Sequence, residues 1–168
     1  MIVESGSITP GADSLCSLET AAAYHEARGR DDWFAAPDQH ESLLVRATDH
    51  VCLTYGGRWA GLRESSLQPL CWPRTGVVTT DGYAVPVGTV PLPVQHAVAE
   101  TAYQMLTGEL AKASTPARTI KSEAVGSIRI EYADTDTINP TVTTLNTIGA
   151  LLAPYLGSSS FVRLQRIY

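Results

Sequence analysis

Residues Tyr55–Pro93 read YGGRWAGLRESSLQPLCWPRTGVVTTDGYAVPVGTVPLP. No helical or strand period holds for long across this stretch. It carries two of the three tryptophans, Trp59 and Trp72, and it lies between the two best amphipathic helix patterns of the chain. Pro69 and Pro73 bracket Leu70-Cys71-Trp72, and Leu62 to Leu70 reads as a short helix or a turn. Thr80-Asp81-Gly82 is a strong turn signal, with Val77 and Val78 on one side and Val85 and Val87 on the other, so a small hairpin or an extended excursion is expected. Long irregular segments inside a domain usually serve binding or assembly, and 56–90 is expected to be a contact surface.

The flanks are helical. Before the stretch, Leu43, Leu44, Ala47, Val51 and Tyr55 recur at the three-and-four spacing of one helix face, from Asp38 to the glycine pair at 56 and 57. After it, Pro91 and Pro93 seed a helix whose Val94, Ala97, Val98, Thr101, Ala102, Met105 and Leu106 form a continuous face up to Gly108. The small residues on that face allow close approach of the Leu43–Val51 face. Upstream, Ser17 is the expected N-cap of a short helix through Leu18, Ala21, Ala22 and His25, stopped by Arg28-Gly29. Asp31 to Pro37 reads as a linker carrying Trp33 and Phe34. Residues 1–14 read as an extended arm or an edge strand followed by a turn.

Downstream, the spacing switches to period two over 123–132, where Ala124, Gly126, Ile128, Ile130 and Tyr132 share one side, which predicts a half-exposed strand. Asn139-Pro140 opens a fourth helix carrying Val142, Leu145, Ile148, Leu152 and Leu156, distorted by Pro154 and stopped by Gly157. The last eight residues, Phe161 to Tyr168, mix apolar and basic side chains in a strand-like tail that pairs within its own domain or docks on another chain. The fold expected is mainly α with minor β: a small four-helix domain over 15–157, a β excursion at 56–90, and extended arms at 1–14 and 158–168.

Composition narrows the function classes. The chain has 168 residues, enough for one domain to bury roughly two thirds of its unfolded surface. Twelve basic against seventeen acidic residues give a net charge of -5, and the basic residues form no run. Phosphate neutralisation supplies most nucleic-acid affinity, so tight DNA binding is not expected. Cys16, Cys52 and Cys71 show no CxxC spacing, and buried free thiols are expected rather than a disulfide or a zinc site. The N-terminus MIVESGSITPG has an acid and no apolar core, so no signal peptide is expected. No apolar run approaches a membrane span, and a reducing cytoplasm is the expected compartment.

The search for chemistry finds little. His25, His40, His50 and His96 form no HxxxH or HExxH pair, and the chain has no Gly-x-Ser-x-Gly, P-loop or GxGxxG. Asp134-x-Asp136 lacks the later Glu of a calcium loop. No catalytic, cofactor-binding or metal-ligating residue is assigned, no cofactor is expected, and an enzyme is not expected. Trp59 and Trp72 beside Arg58, Arg63 and Arg74 invite a base-stacking reading. The acidic charge favours instead aromatics that pin the loop to the helices, with the arginines snorkelling outward.

One resemblance runs along nearly the whole chain. It begins with Tyr24, Arg28-Gly29 and Trp33, and continues through Tyr55 and Trp59-Ala-Gly61-Leu-Arg63. Its most specific part is Gln68-x-Leu70-x-Trp72-Pro73-Arg74-x-Gly76-Val77. Asp81-Gly82, the helix from Pro91 to Leu110, and Val125-Gly126 to Tyr132 follow. In this order the chain resembles head–tail adaptor (connector) proteins of long-tailed bacteriophages, from whose pattern Cys52 and Thr54 depart. The resemblance implies a homo-oligomeric ring, usually a dodecamer, beneath the portal in the virion neck. Such a ring completes the filled head, receives the stopper or tail-completion protein, and lets genomic DNA slide through without specific binding. It implies that Phe161, Val162, Arg163, Leu164, Ile167 and Tyr168 dock on the portal, and that Trp59, Arg63, Trp72 and Arg74 make the loop contacts. The chain is also similar to proteins labelled as resembling the DnaT primosomal protein, a single-stranded DNA binder, and this is the alternative.

Overall fold

Ser17 starts the first helix as its side chain demands, its hydroxyl accepting the Thr20 N–H at 3.0 Å, with Glu19 in the positive first turn. The computed structural model describes residues 1–110, 122–125, 128–131 and 147–157. It is mainly α with minor β. Helix α1 spans Leu18–Glu26, α2 Asp31–Phe34, α3 His40–Tyr55 and α4 Leu92–Thr107, and α5 is seen over 147–152. Strands β1 (Leu62–Arg63) and β2 (Arg74–Thr75) form one antiparallel pair; β3 (Ser122–Val125) and β4 (Ile128–Glu131) form a second.

The α3 and α4 faces legible in the sequence are the ones buried. Leu43, Leu44, Ala47 and Val51 meet Val94, Ala97, Val98 and Ala102, and this is the most extensive helix pair among the described residues. Two buried polar residues on these helices are satisfied: Thr48 Oγ1 accepts the N–H of the distant Leu15 at 3.1 Å, and Thr101 donates to Ala97 O, one turn away, at 2.7 Å. Helix α4 begins behind Pro91 and ends on Gly108 in the left-handed conformation, φ 74°. Ile148 and Leu152 of α5 complete the core.

Four expectations are corrected. Residues 1–14 are a loop packed on the domain rather than an extended arm. Val3 bridges Ser14, and the buried Glu4 carboxylate accepts the N–H groups of Gly6, Ile8 and Thr9 at 2.7, 3.1 and 2.7 Å. A buried carboxylate needs such donors, and they curl the chain around it. Gly6, at φ 116°, lies so close to the Gly88 carbonyl that a Cβ there would collide with it. The expected linker at 31–37 contains α2, which buries Trp33 against His40, the rings stacked 4.1 Å apart.

Of the two readings of Leu62 to Leu70 the turn holds, after the two residues of β1, because Ser65 and Gln68 side chains capture backbone N–H groups that a helix would need. The single strand expected over 123–132 is the hairpin β3–β4, with Val125 opposite Ile128. Cys52 and Cys71 are joined by a disulfide, their Cα atoms 5.4 Å apart. The last turn of α3 and the returning loop bring them together across 19 residues, which no local spacing reveals. Cys16 is buried and free, as expected.

The turn at Thr80-Asp81-Gly82 closes a hairpin-like tip, as the valines predict, with Val78 bridging Ala84 and the Val85 N–H donating to Val77 O at 2.9 Å. The start of the fourth helix, Asp134-x-Asp136 and the tail Phe161 to Tyr168 lie outside the described residues. Leu156 lies past α5 and bridges Trp59, beyond the 3-10 turn Ala153–Tyr155 that holds Pro154.

Candidate functional site

The excursion between α3 and α4 has a root and an outer face. At the root, Trp72 is fully buried, and Trp59 packs on it edge to face with ring centroids 5.7 Å apart. Trp72 meets Tyr155 in the same geometry at 6.0 Å, which pins the chain after α5 to the root. There the Ala60 N–H donates to Tyr155 O and the Gly157 N–H to Arg58 O.

Arg74 corrects the expectation of arginines pointing outward. It is buried, and its guanidinium donates to the carbonyls of Ala60 (2.8 Å), Gly61 (2.9 Å) and Cys71 (3.2 Å). Burial, and Arg63 beside it, push its pKa down from the ordinary arginine range. The reason is backbone satisfaction: an irregular loop buried under tryptophans leaves carbonyls without partners, and a fork of N–H donors closes three of them at once. Arg63 turns its guanidinium back onto Gln68 O and Leu70 O, although the residue as a whole is exposed. Gln68 completes the knot, donating to Leu70 O and Pro73 O at 3.0 Å each and accepting the Ser65 N–H. Gly61 sits at φ 64° where a Cβ would press on Thr75 O and Val77. The structure therefore brings Trp59, Arg63, Trp72 and Arg74 together, as an internal framework.

The outer face has a different chemistry. Leu62, Leu67, Val78, Tyr83, Val87 and Leu92 are exposed, Leu67 at 90%. The charged residues between 59 and 92 are Arg63, Glu64, Arg74 and Asp81. Arg63 and Arg74 are engaged inward, and Glu64 accepts the Gly88 N–H at 2.7 Å. Asp81 is exposed at the tip. Exposed apolar side chains with few charges among them, on a braced scaffold, are suited to protein contact.

A second cluster lies where α1, α2 and α4 meet. The Glu100 carboxylate, buried on α4, accepts both arms of Arg30 at 2.7 and 3.0 Å and the Tyr24 hydroxyl at 2.9 Å. Burial alone would raise its pKa, but the Arg30 fork and Tyr24 outweigh it and hold the carboxyl below its usual value. Burial and Glu100 push the Tyr24 phenol up to about 12. Burial, with Arg30 beside the ring, lowers His25 to about 4. His25 lies against Trp33 (4.4 Å) and Tyr103 (5.4 Å), and Arg28 covers the Tyr24 ring at 3.5 Å. No motif or spacing in the sequence marks Glu100. Its signal was a carboxylate between Ala97 and Gln104 on an otherwise apolar helix side, which calls for a buried partner.

Among the described residues no group of three or more His, Cys, Asp or Glu side chains could hold a metal ion, and no helix is long and apolar enough to cross a membrane. No curated protein and no solved structure matches the chain. A family model does, the one described as "Putative DnaT-like ssDNA binding protein", over residues 1–167. On that match across nearly its whole length, the chain belongs to this DnaT-like family.

Proposed function

We propose that this protein is a head-to-tail adaptor of a long-tailed bacteriophage. It forms a homo-oligomeric ring, a dodecamer by the resemblance, under the portal and above the stopper or tail-completion protein. It acts in the virion neck through contacts rather than catalysis, and genomic DNA passes its channel without specific binding. The observation that carries this reading is the inversion at the excursion: its tryptophans and Arg74 face inward while Leu62, Leu67, Val78, Tyr83 and Val87 are exposed. That pattern serves protein neighbours better than nucleotide bases. Charge supports it, since residues 1–110 hold six arginines against thirteen acidic side chains. Within the reading, Phe161, Val162, Arg163, Leu164, Ile167 and Tyr168 dock on the portal.

The second reading, binding of single-stranded DNA, is favoured by the family description and by one feature of the sequence. Residues 111–168 hold six basic against four acidic residues, so a basic contact surface would be built there. Titration with oligonucleotides at several salt concentrations, followed by tryptophan fluorescence, separates the two. The adaptor reading predicts binding no tighter than about 1–100 µM at physiological salt, the ordinary non-specific range, with unquenched emission from enclosed indoles. Sub-micromolar, steeply salt-dependent binding with quenching would overturn it.

A further inference from the structure

The two cysteines that pair sit on opposite sides of a mechanical junction. Cys52 lies in the last turn of α3, a rigid element of the core. Cys71 lies in the excursion, immediately before the buried Trp72, and its N–H points at Cys52 Sγ at 3.4 Å. Both are half-buried, packed at the edge of the core rather than inside it. Cys16 is enclosed, its thiol donates to Ser17 O, and burial pushes its pKa up to about 12. Thiolate character and access govern exchange, so the half-buried pair is better placed for it than the enclosed Cys16.

We propose that Cys52 and Cys71 are a reversible redox modification site whose co-reactant is a low-molecular-weight disulfide, and that closing it clamps the excursion to α3. In the closing direction one protein thiolate attacks the small disulfide and expels a thiolate. The second protein cysteine, as its thiolate, then attacks the sulfur of the first in the mixed disulfide and expels the other. The two protein thiols are oxidised to one disulfide, the small disulfide is reduced to two thiols, and the two protons end on those thiols. The reduced form stays folded, because Trp72, Trp59, Arg74 and Gln68 hold the root by contacts that involve no disulfide. What changes is the freedom of the excursion, and with it the outer apolar face. In a reducing cell the pair is open; outside it the clamp closes.

The proposal does not depend on the adaptor assignment, and its test reads neither ring formation nor portal binding. The full chain is equilibrated in buffers of varied glutathione to glutathione disulfide ratio, quenched by alkylation, and mapped by mass spectrometry. The expected result is a two-electron transition at Cys52 and Cys71 that runs in both directions, with Cys16 alkylated only after unfolding. Closing a loop of this length raises the melting midpoint by roughly 5–10 °C over the reduced form. It also slows proteolysis within 56–90. Cys16→Ser retains the shift, and Cys52→Ser and Cys71→Ser abolish it. Two free thiols at every ratio, or a reduction that leaves both melting and proteolysis unchanged in the wild-type chain, would overturn the proposal without any variant being needed.

Discussion

Glu100→Ala lowers the free energy of unfolding by about 3–5 kcal/mol, the cost of breaking a buried ion pair from one side. The side chain is 3% exposed and its partner Arg30 21%, so solvent screens little of the interaction. The substitution removes the acceptor of both Arg30 arms and of the Tyr24 hydroxyl while those donors stay enclosed. Arg30→Ala strands the carboxylate instead and is similarly costly. Replacing both residues by methionine is less harmful than the two single losses combined, because no uncompensated charge is left behind. Urea denaturation of the two single variants and the double variant measures this; a wild-type midpoint for Glu100→Ala would refute the pairing.

Acid acts on the same cluster. Glu100 titrates below its ordinary value near 4.5 when folded, so its stabilisation is complete above about pH 4.5 and is lost as pH falls through the folded value. His25, held down to about 4 from 6.5, must stay neutral in the fold while the unfolded chain takes up a proton. Between pH 6.5 and 4 the unfolded state therefore binds more protons, and stability declines by up to about 3 kcal/mol. His25→Gln removes that upper part of the acid slope and leaves the Glu100 part below pH 4.5.

Trp72→Ala costs about 3–5 kcal/mol, as expected for truncating a large aromatic in a packed site. Its effect is also positional. Trp72 touches Trp59 within the root and Tyr155 beyond α5, so its loss loosens two connections at once. The melting midpoint falls by roughly 6–20 °C, at about 2–4 °C per kcal/mol for a chain of this size. Limited proteolysis then cuts first within 56–90. Trp72→Phe keeps an aromatic edge for Trp59 and loses less. If Trp72→Ala melts like the wild type, the excursion is not pinned by this side chain.

What the sequence disclosed was local. Ser17 as a cap, the apolar stripes of α3 and α4, Pro91 and Gly108 at the ends of α4, and the Thr80-Asp81-Gly82 turn are all signals carried within a few residues. The hairpin β3–β4 was partly legible. Period-two spacing marks it, but that spacing runs unbroken through Gly126-Ser127, a two-residue hairpin signal. The features that define the site were not local. Arg74 closes carbonyls 13 and 14 residues away, Cys52 pairs across 19, and Arg30 meets Glu100 across 70. An arginine in a loop looks the same in sequence whether it faces water or three orphan carbonyls. The N-terminal segment was misread for a related reason: nothing in MIVESG shows that Glu4 will collect three backbone N–H groups from the residues after it. Both cases are backbone satisfaction, which leaves no periodic trace.

The account turns on whether this chain assembles on protein or on DNA. Electron microscopy of the purified protein, alone and mixed with the portal of the same genome, tests this most directly. The expected result is a ring added beneath the portal, with the exposed apolar residues of the excursion covered by neighbouring density. Portals without added density, from a mixture in which the protein is folded and in excess, would contradict it.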